Sequence, residues 1–314
     1  MQELAYSHSP FTGQIHCSAP VTPFSPAGDL MLDAFQEVLR FHMEIVKVDA
    51  LLIAGDNGEG YALTDRELRR VVETTVKTVG GRIPCYVHVS RTENDRCCTR
   101  AGIAAEAGAY GIALCQPYIH DASPDKIVKR FEAVAQATAL PMMVYNLPLI
   151  SRFNITPQVM RQICDVAPVE VLKDAPTDMA HITAMLNAMG ERFPILYGQR
   201  YTMIPALLLG SGGFVGTGPE LFHERCRDFF KLDEMEPRER ARLQKRYAAV
   251  NTALLHELGK APAGIKAAMN LLGVPAGVPR DHVSPLTPAE TEALRRVLIE
   301  ADILEADAPV ARSA

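Results

Sequence analysis

The sequence predicts a (β/α)8 TIM barrel with a C-terminal helical appendage, an α/β fold. Three observations predict it. Eight short apolar runs alternate with amphipathic stretches across about 220 residues, which fits a closed barrel better than a doubly wound sheet. The runs are apolar on both faces, as parallel strands covered by helices require. No GxGxxG opens the first unit, which removes the usual dinucleotide-binding reading.

The candidate strands are Ile15–Ala19, Ala50–Ala54, Cys85–Val89, Gly111–Cys115, Met142–Asn146, Val169–Lys173, Ile195–Gly198 and Gly213–Val215. Helical stretches separate them: Leu30–Val48, Thr64–Val79, Asp95–Ala107, Pro124–Ala139, Thr156–Cys164, Met179–Met189 and Tyr201–Leu209. Thr64 ahead of Asp65-Arg66-Glu67 has the form of a capping box, and Thr156-Pro157 sets a cap before a first-turn proline. From about Glu234 the pattern is all-helical: Pro237–Leu258, Gly264–Leu272 and Thr287–Ile303. Residues 1–233 are therefore expected to form the barrel and 234–314 a helical extension, with a frayed end over Ala306–Ala314. The charge run Glu234–Arg242 reads as a solvated helix face.

Composition bounds the function. With 48% hydrophobic residues in 314, the chain has ample material for a core. A net charge of -5 and no Lys/Arg run argue against a nucleic-acid partner. Seven scattered cysteines with no C-x-x-C spacing favour neither zinc nor a disulfide framework. The start lacks the pattern of a signal peptide, and no apolar stretch reaches the length of a membrane span. A reduced, cytoplasmic protein with no membrane partner is the expectation.

Three features carry chemistry. Lys173 closes the sixth apolar run. A strand-end lysine is ordinarily a solvated charge, but in a barrel it faces the mouth, where desolvation lowers its pKa and frees the amine for carbonyl attack. Tyr145 ends the neighbouring fifth run, where its phenol could relay protons or simply bond to backbone. Gly55-Asp56-Asn57-Gly58-Glu59-Gly60 follows the second run, and such a loop is either a plain turn or a nest for a carboxylate.

Together these residues resemble the dihydrodipicolinate synthase/N-acetylneuraminate lyase family of class I, Schiff-base-forming aldolases. The resemblance runs in order through Thr22-Pro23-Phe24, Gly55-x-x-Gly58-Glu59, Pro117-Tyr118, Tyr145-Asn146-x-Pro148, Lys173, Gly198 and Gly210–Val215. The separations are family-like, 86 residues from Glu59 to Tyr145 and 28 from Tyr145 to Lys173. It implies that Lys173 forms an imine with pyruvate or a related 2-oxo acid and that Tyr145 transfers protons. It further implies substrate contacts at Gly55, Asn57, Gly58, Tyr118 and Val215, no cofactor or metal because the protonated imine is the electron sink, and a homotetramer built as a dimer of dimers.

The chain departs from the family at four places. Asp56-Asn57 replaces the usual Thr-Thr or Ser-Thr, which resembles the Ser-Asn of the 4-hydroxy-2-oxoglutarate aldolase branch. Asn57 is expected to bind the carboxylate, and Asp56 to accept a hydrogen bond from Tyr145. Ile119 stands where dihydrodipicolinate synthases carry a second Tyr, and Ile150 where they carry the semialdehyde-binding Arg, with Arg152 two residues on. Gly198-Gln199-Arg200-Tyr201 replaces the acidic residues of sialic-acid lyases, and Arg200 reads equally as a helix-start surface charge or as a partner for a second carboxylate. His88 and Arg91 read equally as pocket or loop-supporting residues, His120 and Asp121 lack metal-ligand spacing, and Glu59 is expected to hold the loop or cap the next helix. The expected activity is cleavage or formation of a 4-hydroxy-2-oxo acid from pyruvate and an aldehyde. A dehydratase of a 2-oxo-3-deoxy sugar acid, a true dihydrodipicolinate synthase and a non-catalytic 2-oxo-acid binder are the alternatives.

Overall fold

The computed structural model describes residues 10–117, 123–254 and 260–306. Among them, eight parallel strands close into a barrel in sequence order, β8 pairing back onto β1. The strands are β1 (Ile15–Ser18), β2 (Ala50–Ile53), β3 (Cys85–His88), β4 (Gly111–Cys115), β5 (Met142–Asn146), β6 (Val169–Asp174), β7 (Ile195–Tyr197) and β8 (Gly213–Phe214). Around them run α1 (Leu32–Arg40), α2 (Asp65–Val79), α3 (Asn94–Glu106), α4 (Pro124–Ala137), the one-turn α5 (Pro148–Ser151), α6 (Pro157–Val166), α7 (Met179–Met189) and α8 (Met203–Leu208). Beyond the barrel come α9 (Pro237–Ala253), α10 (Ala261–Leu271) and α11 (Pro288–Glu300).

Two apolar cores follow from the two strand faces. Outward residues such as Leu51, Val87, Ile112 and Val144 pack against the helices. Inward residues, Cys17, Leu52, Tyr86, Met143, Val171 and Leu196 among them, fill the barrel itself. Alternation then carries the inward face upward: two residues beyond Tyr86, Met143 and Val171 come His88, Tyr145 and Lys173. This places three polar side chains at the C-terminal mouth above a closed apolar plug. Tyr86 and Tyr110 donate to the Glu170 carboxylate at the other end of the barrel.

Most predicted elements stand within one or two residues of their expected ends, and the differences have causes. The single helix expected over Leu30–Val48 is α1 followed by a π-helical turn, Phe41–Val46, that ends at Lys47 in the left-handed conformation. The wider turn carries His42 to the buried Ser18 hydroxyl, 2.9 Å away. The Thr64 capping box forms as predicted, and Thr156 caps α6. Residues 234–242 are mostly exposed, as a solvated charge run should be. No helix among the described residues is long and apolar enough to cross a membrane.

Candidate active site

The loop after β2 is built by close backbone approach. A Cβ on Gly60 would lie 1.8 Å from the Ala54 carbonyl oxygen, so only glycine fits there. Ala54 and Glu59 adopt φ of 55° and 48°, a left-handed conformation that surrounding contacts must hold in place. Glu59 supplies that hold. Its buried carboxylate pairs with Lys266 of α10 and accepts the Arg280 backbone N–H at 2.9 Å. Of its two expected roles it holds the loop, while α2 is capped by Thr64 with Glu67. Gly58 is confined too, since a Cβ would come 3.0 Å from the Pro20 carbonyl.

Register brings the next residues together. Tyr145 of β5 and Lys173 of β6 are paired across adjacent strands, and the lysine Nζ lies 3.9 Å from the centre of the Tyr145 ring. The Tyr145 hydroxyl donates to Asp56 at 3.1 Å, the contact expected between them. Burial pushes the Lys173 amine down to about 8, against the upward pull of the Asp56 charge. Burial raises the Tyr145 phenol well above its ordinary value, and the adjacent Asp56 carboxylate adds to the effect. Among the described residues Lys173 has no hydrogen-bond acceptor, so its amine stays neutral and unbonded more readily than a surface lysine does.

These groups line a cavity of about 520 Å³ at the barrel mouth. Asp56, Asn57, Tyr145, Lys173, Arg200 and Val215 all face it. Gly55 and Gly58, expected as substrate contacts, are not among the residues that line it. Asn57 donates its amide to the Thr217 hydroxyl at 2.8 Å, tying the β2 loop to the loop after β8. The Arg200 guanidinium stacks 4.6 Å above the Tyr201 ring. Arg91 lines the cavity and donates to the Gly60 and Leu63 carbonyls, so it supports the loop as well. Ile150 lines the cavity, whereas Arg152 is exposed and does not. The expected contact Tyr118, with Ile119, His120 and Asp121, lies outside the described residues.

Sequence reasoning missed two parts of the cavity. Thr217 sits in Gly216-Thr217-Gly218 directly after β8, a glycine-bracketed polar residue at a strand end, and that signal could have found it. Asn251, Ala261 and Pro262 bring the C-terminal helices to the wall, a contact no local pattern announces.

Comparison with known proteins follows the same lines. The model of the dihydrodipicolinate synthetase family matches residues 12–301. The 4-hydroxy-tetrahydrodipicolinate synthase of Clostridium perfringens is 29% identical over 265 residues, covering 83% of this chain and 89% of that enzyme. The solved dihydrodipicolinate synthase of Cyanidioschyzon merolae, with lysine bound, superimposes with a TM-score of 0.85 at 26% identity, covering 93% of this chain and 99% of that one. CdNal of Clostridium difficile, solved with mannosamine, shares the fold at a TM-score of 0.83 and 19% identity, covering 93% of this chain and 100% of that one. With nearly the whole length matched, the chain belongs to the dihydrodipicolinate synthetase family.

Proposed function

We propose that this protein is a Schiff-base-forming lyase that cleaves or forms a compact 4-hydroxy-2-oxo acid. One observation carries the reading: a buried, unbonded Lys173 amine over the ring of a tyrosine whose hydroxyl donates to a carboxylate. The neutral amine attacks the C2 carbonyl to give a carbinolamine. Tyr145, backed by Asp56, protonates the departing hydroxyl, and water leaves as the iminium forms. The C3–C4 electron pair then flows into the iminium while the C4 hydroxyl becomes an aldehyde and gives its proton to the Tyr145 phenolate left by the dehydration step. Tyr145 returns a proton to C3 of the resulting enamine, and water releases pyruvate.

The substrate carboxylate falls to the loop amides and Asn57 beside Thr217. Arg200, which also lines the cavity, suits a second carboxylate. The sequence resemblance implies that a dihydrodipicolinate synthase would carry a semialdehyde-binding arginine at position 150, and here apolar Ile150 lines the wall instead. This supports pyruvate with a small aldehyde over the lysine-pathway substrate. A homotetramer, a dimer of dimers, is the assembly this reading carries.

Borohydride reduction in the presence of pyruvate, followed by peptide mass spectrometry, tests the reading. The expected result is a reduced pyruvyl adduct on Lys173. An intact protein recovered without an adduct would overturn it.

A further inference from the structure

Three buried polar side chains behind the cavity have no part in the lyase steps. Gln116 follows β4, and Asn146 and Asp174 close β5 and β6. All three are 0% exposed. Each stands one residue beyond a cavity-lining side chain, Cys115, Tyr145 or Lys173, and so on the opposite, outward face of its strand. The outward positions below them, Leu114, Val144 and Leu172, belong to the apolar layer under the helices. A polar trio in that layer is costly unless its members satisfy one another.

They do so as a chain with one direction. Gln116 Nε2 donates to Asn146 Oδ1 at 2.9 Å, and Asn146 Nδ2 donates to Asp174 Oδ1 at 2.7 Å. His181 Nε2 lies 3.2 Å from the other Asp174 oxygen. Neither amide can be turned round. Asn146 Oδ1 also accepts the Ile155 backbone N–H at 3.1 Å, and Gln116 Nε2 also donates to the Phe153 carbonyl at 2.8 Å. Asn146 and Asp174 are register partners, as are Tyr145 and Lys173 one residue earlier. Resting on the lyase reading above, we propose that the Gln116–Asn146–Asp174 chain is a positioning device that fixes Tyr145 beside the Lys173 amine. Apolar side chains of similar size would fill the layer as stably, but they have no directional bond to set the strand ends. A misplacement of about 1 Å at a reacting group costs up to about a hundredfold in rate.

The test is the rate of imine formation with pyruvate, quenched by borohydride at successive times and taken per trappable site. Asn146→Leu should slow the saturated rate about tenfold or more. The pyruvate concentration for half-saturation should stay as in the wild type, because the β2 loop that receives the carboxylate is untouched. Asp174→Leu should match it, whereas Asp174→Asn, whose amide oxygen still accepts from Asn146, should keep most of the rate. Equal losses in Asp174→Asn and Asp174→Leu would assign the effect to charge and overturn the positional reading. A wild-type rate per site in Asn146→Leu, with only the number of sites reduced, would show that the chain supports the fold alone and overturn it too. If Asn146→Leu yields no trappable site, Gln116→Met, which removes only the outer link, decides: a slower rate per site supports the chain and an unchanged rate overturns it. A wild type that gives no adduct overturns the lyase reading itself, whereas a trapped wild type with unaffected variants overturns this inference alone.

Discussion

Lys173 and Lys266 are two buried lysines whose amines burial pushes down to about 8, yet they sit in opposite situations. Lys266 is saturated: it donates to Glu59 and to the Val278 carbonyl at 2.9 Å, and it lies 4.6 Å from the Phe24 ring centre. Lys173 faces a cavity, with an aromatic ring below it and no acceptor among the described residues. A shifted pKa alone would rank the two equally as nucleophiles. The partners separate them: an amine locked in an ion pair has no lone pair to offer, whereas an unbonded one does.

The largest effect that tests this contrast is on Lys173 itself. Lys173→Met should abolish the pyruvyl adduct and reduce turnover by roughly a thousandfold or more, with the fold retained by circular dichroism. If that variant still turned over at a substantial rate, the division between the two lysines would be wrong. Lys266→Met should do the reverse. It leaves the Glu59 carboxylate buried without its counter-charge, costing about 3–5 kcal/mol in denaturant unfolding, while the remaining folded protein still yields the adduct. Adding Glu59→Gln should recover part of that loss, because the stranded charge is then gone. The smallest effect concerns pH. The Asp56 charge favours the Lys173 ammonium and so holds its pKa up. Trapping should therefore rise through about pH 8 in the wild type, and the rising limb should move to lower pH in Asp56→Asn. A limb that stays put or moves upward would show that Asp56 does not act on this amine.

The fold was legible because parallel barrel strands are apolar on both faces and the helices between them carry caps, Thr64 and Thr156 above all. Strand ends were harder to read. Ala54 and Gly198 continue an apolar run in sequence but leave the ladder, Ala54 by turning to a positive φ. The π-helical turn at Phe41–Val46 has the same apolar spacing as the helix it extends, so periodicity cannot reveal it. At the mouth, Lys173, Tyr145 and Asp56 were within reach because each closes or follows a strand. The Asn57–Thr217 contact spans 160 residues, and the partner of Glu59 lies 207 residues away. Neither is encoded in any local window. His88 was legible as a strand-end residue and does line the cavity, but the Asn146–Asp174 bond behind the site is a property of three-dimensional packing alone.

The Glu59–Lys266 pair also sets a schedule. A chain made from its N-terminus at about 5–20 residues per second presents Glu59 roughly 10–40 s before the lysine 207 positions later exists. Until then the β2 loop has a carboxylate destined for burial and nothing to neutralise it, so the loop stays solvated. The eight strands can all have been synthesised while this side of the cavity is still unset. The protein therefore becomes competent late in its own synthesis, when α10 emerges and the first quarter of the chain is locked by the last.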